Sequence, residues 1–268
     1  MQDLSSSQLS KLIEAVQKQI DQGVLARSVS IDWEGKRYWI KTALHSQMNT
    51  WHRLQDVAAF LFRVPMLRAT ISSSGEEGLK AEVSHIKKVA VRGVLVPEVV
   101  AVNVGWILLS DIGMPLFDLV DQAPSVEEKE QFLTLGASSL SSLHNLDGWH
   151  GTGQLRDMTY RDGQIGFIDF EENVGEAMRP AAAQARDLLR FLISAVRFDA
   201  GDGKLLEKIV QAYEKNAPQA IWPEVRSLLR VLGVLAFLLK PFRAKLGRDL
   251  RHAMLTYEAL KKAEFSHL

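Results

Sequence analysis

The stretch HGTGQLRDMTYRDGQIGFIDF, residues 150–170, decides the fold. Its end is a short apolar strand, Ile165 to Ile168, that delivers Asp169. Before it, Asp162-Gly163 is the turn of a hairpin, because aspartate and glycine tolerate the left-handed backbone that a tight turn needs. Asp157 stands at the start of that hairpin. Two carboxylates on neighbouring strand ends form a cradle for a hard cation such as Mg²⁺. His150-Gly151 opens the stretch, and Thr152 follows where a carboxylate base would be expected.

Working outward, SVSIDWEGKRYWIKTA (28–43) alternates, turns at Glu34-Gly35-Lys36 and returns as a second strand carrying Lys41. SSSQLSKLIEAVQKQI places Leu9, Leu12, Ile13, Val16 and Ile20 at helical spacing behind serine caps. A helix is expected over 47–64, a polar loop over 69–78, and a helix over 78–91 with Glu82 on the flank of its apolar face. VLVPEVVAV and WILLSDIG read as two strands. From about residue 127 the pattern turns helical, with further helices over 181–197, 204–215, 223–240 and 245–264. The expectation is an α+β chain of two lobes: a strand-rich N-lobe over 1–112 and a helical C-lobe over 113–268.

Lysine plus arginine equals aspartate plus glutamate, so the formal net charge is zero. That argues against a general nucleic-acid binder, which needs a positive field. There are no cysteines, so disulfides, thiolate zinc sites and cysteine nucleophiles are excluded. The N-terminus is polar and amphipathic, unlike a signal peptide. The most apolar run, VLGVLAFLL (231–239), is far short of the roughly 20 residues of a spanning helix. A cytoplasmic protein is expected. Lys240, Arg243, Lys245, Arg248 and Arg251, with the amphipathic segment 51–64, raise an alternative of docking at the inner membrane face. A solvated helix face and core packing are the plainer readings of the same residues.

A strand lysine, a helix glutamate, a linker and two aspartates about a hairpin resemble the order of the protein-kinase-like superfamily. The words WIKTA, LKAEVSHIKKVAVRGVLVPEVV, ILLSDIGMPL, SLHNLDGWHG and GFIDFEEN carry that resemblance, from about residue 28 to 195. It is closest in style to the bacterial lipopolysaccharide (Kdo/heptose) kinases and to the aminoglycoside and choline kinases. The resemblance implies ATP and Mg²⁺ as cofactors. It implies that Lys41 contacts nucleotide phosphates, that Glu82 pairs with Lys41, and that Ser110, Asp111 and Ile112 form a hinge for adenine. Asp157 and Asp169 would hold the metal. Asp187 would brace the catalytic loop.

Each residue also has a plainer reading: a solvated lysine, a surface glutamate, turn-capping aspartates. By the same resemblance to the aminoglycoside and choline kinases, Glu171 after Asp169-Phe170 implies small-molecule rather than protein substrates, and Glu171 or Glu172 could approach the metal, a solvated position being the plainer reading. The family's catalytic aspartate position is Thr152, which leaves the base unassigned, with Asp157, Asp147 and His150 as candidates. No glycine-rich nucleotide-covering loop precedes the hairpin; only DQGVLARS (21–28) is available. Two readings stand. One is a phosphotransferase acting on a sugar, glycolipid or other small-molecule hydroxyl. The other is a pseudokinase module that works through a protein partner.

Overall fold

The computed structural model describes residues 5–23, 27–43, 75–170, 178–239 and 248–266. The expected helix over 47–64, Glu171, Glu172, Lys240, Arg243 and Lys245 lie outside them. Helix α1 (Ser6–Asp21) starts on a reciprocal cap: Gln8 N–H donates to Ser5 Oγ, and Ser5 N–H donates to Gln8 Oε1. The hairpin β1 (Ser28–Trp33) and β2 (Lys36–Thr42) follows as the alternation predicts. Helix α2 (Gly75–Ala90) begins earlier than expected and absorbs the end of the anticipated 69–78 loop. Glu76 and Glu77 lie in its first turn, where carboxylates favour the unpaired N–H groups.

Strands β3 (Val99–Asn103) and β4 (Trp106–Ser110) complete a four-stranded antiparallel sheet of order β1-β2-β4-β3. The first of these is shorter than VLVPEVVAV suggested, because Pro97 has no N–H to give to a ladder. The sheet is covered on both faces. Tyr38, Ile40, Trp106 and Leu108 pack with Leu12 and Val16 of α1. Ile107 and Leu109, on the other face of β4, join Leu79, Val83, Ile86 and Val89 of α2 in the main core. This explains why WILL reads as a continuous apolar run rather than an alternating one.

Lys41 follows Ile40 on β2 and points to the opposite face, toward α2, where it is 7 % exposed. Its burial is therefore a consequence of the pleat and of a second covering layer.

Beyond the sheet come β5 (Met114–Pro115), a short helix α3 (Leu116–Gln122) that the sequence pattern did not flag, and α4 (Val126–Asn145). The hairpin β6 (Met158–Arg161) and β7 (Gln164–Phe167) turns on Asp162-Gly163, both at positive φ. It joins β5 in a small second sheet. Helices α5 (Pro180–Ala195), α6 (Lys204–Glu214), α7 (Trp222–Leu239) and α8 (Arg248–Ser266) make up the rest. The architecture is α+β, strand-rich toward the N-terminus and mostly helical toward the C-terminus. Among the described residues no helix is long and apolar enough to cross a membrane.

Leu108 has no exposed surface and lies on a central strand. Leu108→Ala is expected to destabilise the protein by roughly 2–5 kcal/mol, read from the urea midpoint, as buried leucine deletions do.

Candidate functional site

The left-handed backbone of Asp169, at φ 67°, turns the chain immediately after β7 and aims its carboxylate back at the sheet. There Lys41 Nζ donates to Asp169 Oδ1 at 2.7 Å and to Glu82 Oε1 at 2.6 Å. One ammonium thus joins β2, α2 and the end of β7. The expected Lys41–Glu82 pair forms; the direct bond to Asp169 is an addition that sequence order alone does not predict. Burial works against the charge on Lys41, but Glu82 and Asp169 together outweigh it and hold the ammonium protonated above its ordinary range. Burial likewise opposes ionisation of Asp169, yet Lys41, with help from Arg27, holds its carboxyl below the usual range.

Asp157 closes a short 3₁₀ turn, Leu155–Asp157, on the other side of the cavity. The backbone N–H of Ile168 donates to the carbonyl of Asp157 at 2.9 Å, so the two aspartate-bearing segments run side by side. Asp157 is 3 % exposed, and its Oδ2 has no hydrogen-bond partner among the described residues. Burial pushes its carboxyl up, only partly offset by Arg156. An orphaned buried carboxylate oxygen beside a second carboxylate fits a hard divalent cation. Asp157 and Asp169 are the residues that could hold such a cation. Among the described residues no larger carboxylate or histidine cluster of metal-binding type is present.

These residues share a cavity of about 460 Å³ with Leu109, Ser110, Asp111 and Ile112, so the expected hinge borders it. Asp111 is chiefly a brace. Its carboxylate accepts from Trp39 Nε1 at 3.0 Å and Gly113 N–H at 3.2 Å, and it pairs with the Arg161 guanidinium. Its own N–H donates to the Arg37 carbonyl, and its carbonyl accepts from Arg161 Nη1 at 2.9 Å. Those backbone groups are already used within the protein.

The loop around Thr152 is held from below. Asp187, wholly buried on α5, accepts from the backbone N–H groups of His150 at 2.6 Å and Gly151 at 2.8 Å. This is the brace expected of it. His144 lies 3.4 Å from the same carboxylate and 2.5 Å from the Tyr213 hydroxyl, which extends the buried network to α6. Neither His144 nor Tyr213 carried a signal in the sequence, since their meeting depends on helix packing. Gly153 at φ +56° passes so close to α5 that a Cβ would stand 2.8 Å from the Asp187 carbonyl oxygen.

His150 is 1 % exposed. Its Nδ1 accepts from Gly153 N–H at 3.0 Å and lies 2.8 Å from the Thr152 hydroxyl. The proton therefore sits on Nε2, which donates to the Ile168 carbonyl at 2.7 Å. Both ring nitrogens are engaged in holding the loop, which matches the bracing role and leaves no lone pair turned to a substrate. Thr152 directs its hydroxyl to this ring.

No protein-family model matches the sequence. An uncharacterized protein of Haemophilus influenzae is 23% identical over 226 residues, covering 84% of this chain and 85% of that one. Among solved structures, a MAP kinase from Leishmania major in complex with a small molecule aligns over 95% of this chain and 88% of its own, with TM-score 0.35 and 14% identity. The gentamicin–APH(2")-IIa complex aligns over 96% and 99%, with TM-score 0.31 and 14% identity. Scores this low identify no family.

Asp187→Ala leaves two buried N–H groups and His144 without their acceptor. It is expected to destabilise the fold by roughly 3 kcal/mol in denaturant titration. Asp157→Asn should act in the opposite sense. A carboxyl whose folded pKa is raised makes its charged form a cost to folding once the pH exceeds the unfolded value. At neutral pH without divalent metal, Asp157→Asn should therefore melt above wild type, and the gain should shrink as the pH falls through the folded pKa.

Proposed function

We propose that the chain is a kinase-like phosphotransferase that uses ATP and Mg²⁺ and transfers phosphate to a hydroxyl of a sugar, glycolipid or other small molecule. One observation supports this best. Lys41, ordered by Glu82 and bonded to Asp169, shares with Asp157 a cavity bordered by Ser110–Ile112. Phosphoryl transfer proceeds through a loose transition state and is catalysed mainly by positioning and charge neutralisation. A lysine ammonium for phosphate oxygens and two carboxylates for a metal supply those parts.

In this reading Lys41, held by Glu82, would contact nucleotide phosphates, and Asp157 and Asp169 would hold the metal, which would supply positive charge against the phosphates. His150 serves as a brace. The two-lobe division near residue 112 belongs to the same proposal, with the cavity in the cleft.

The second reading, a pseudokinase working through a protein partner, is favoured by one feature: Thr152 occupies the expected base position with its hydroxyl committed to His150.

Calorimetry with ATP, with and without Mg²⁺, tests the proposal. Wild type should bind in a magnesium-dependent manner, and Asp169→Asn should lose that dependence while still unfolding cooperatively, at a somewhat lower temperature. Magnesium-dependent affinity should also weaken as the pH falls, starting above the range of an ordinary aspartate, because a proton competes for Asp157 at a higher pH. Absence of ATP binding under every condition would refute the nucleotide site. Binding without turnover on any sugar or lipid acceptor would favour the pseudokinase.

A further inference from the structure

A second cavity, of about 580 Å³, lies against the loop that carries Asp157. Arg156, Arg190 and Arg197 line it, with Gln154 and Phe117, and no aspartate or glutamate is among its described lining residues. Three guanidinium groups around one hollow set up a positive field inside it, which draws an anion in. Arg190, Ile193, Ser194 and Arg197 recur at positions i, i+3, i+4 and i+7, so α5 and the 3₁₀ turn after it present them on one face.

The hollow is built rather than incidental. Leu155 N–H donates to Ser194 Oγ at 3.1 Å, which pins the Arg156 turn to this helix face. The Arg197 guanidinium sits over the Phe117 ring at 4.9 Å and near Phe198 at 5.5 Å, so two aromatic faces fix its orientation. Arg156, whose Nε lies 3.4 Å from Asp157 Oδ1, lines both this hollow and the cavity of Lys41, Asp157 and Asp169. An anion held here would stand beside the carboxylate assigned to the metal.

We infer that this arginine-lined hollow is an acceptor subsite that recognises an anionic group, a phosphate monoester, on the molecule to be phosphorylated. The inference rests on the phosphotransferase reading for its role, but not for its existence. Arginine forks match phosphate oxygens bidentately, and Gln154 adds a neutral donor and acceptor for hydroxyls. The acceptor would be a compound that already carries phosphate, presenting a free hydroxyl toward Asp157. The monoester has two sources, a soluble sugar phosphate or a lipid headgroup.

The test uses the full chain. Binding of glucose 6-phosphate, glucose and inorganic phosphate is measured by calorimetry on wild type, Arg197→Ala, Arg197→Lys and the Arg190→Ala/Arg197→Ala double variant. Sedimentation with phosphatidylcholine vesicles, with and without phosphatidic acid, is the parallel arm. Wild type should bind glucose 6-phosphate and not glucose. Arg197→Ala should weaken that binding about tenfold or more. Arg197→Lys should recover only part, and the double variant should abolish binding, while affinity for ATP with Mg²⁺ stays unchanged. Arginine-dependent binding to phosphatidic acid vesicles alone would support the same chemistry with a lipid source. Equal binding of the anions by wild type and the double variant, or no anion binding by wild type in either arm, would overturn the inference. Arginine-dependent phosphate binding by a chain that binds no ATP would leave the subsite standing and remove the phosphotransferase reading.

Discussion

A lysine ammonium held away from water between two carboxylates governs this structure. Burying such a group is costly, and a buried ion pair is seldom more stabilising than the apolar residues that could replace it. Lys41 is nevertheless placed there by the pleat of β2, and Glu82 is 1 % exposed opposite it. Removing either partner strands a charge in the interior. The arrangement therefore has a strong tendency to keep β2, α2 and the end of β7 in one geometry.

The rest of the site is organised by hydrogen bonds to backbone. Asp187 fixes the His150 loop through two N–H groups, and His150 passes that constraint to Ile168 and so toward Asp169. Asp111 plays the same part on the opposite rim, where it ties Trp39 and Arg161 together. Asp187 has its carboxylate satisfied, whereas Asp157 Oδ2 has no partner among the described residues, though the two aspartates looked alike as letters in the sequence.

Much of this was legible beforehand. Strand alternation gave Lys41 its place, and the Asp162-Gly163 turn with the apolar run before Asp169 gave the second hairpin. The order of the motifs suggested that Lys41 and Glu82 meet across 41 residues of sequence, and they do. Local patterns were less reliable at boundaries. The start of α2 was read as loop because glycine and serine dominate there, and α3 escaped notice because seven residues carry little periodicity. His144, Tyr213 and the face of Arg190 and Arg197 carried no functional signal, since each gains meaning from what packs against it.

The sequence by itself determined the elements: period-2 runs for the sheet, 3.6-residue spacing for the helices, and turn residues at the hairpins. It also determined which side chains were available, including the absence of cysteine and the threonine at position 152. Only the tertiary structure decided which carboxylate Lys41 would share, that both nitrogens of His150 are committed, and that Asp157 keeps an oxygen with no partner among the described residues. The physical reason is that hydrogen bonding and desolvation depend on neighbours far apart in the chain, whereas helix and strand periodicity depend on neighbours a few residues away.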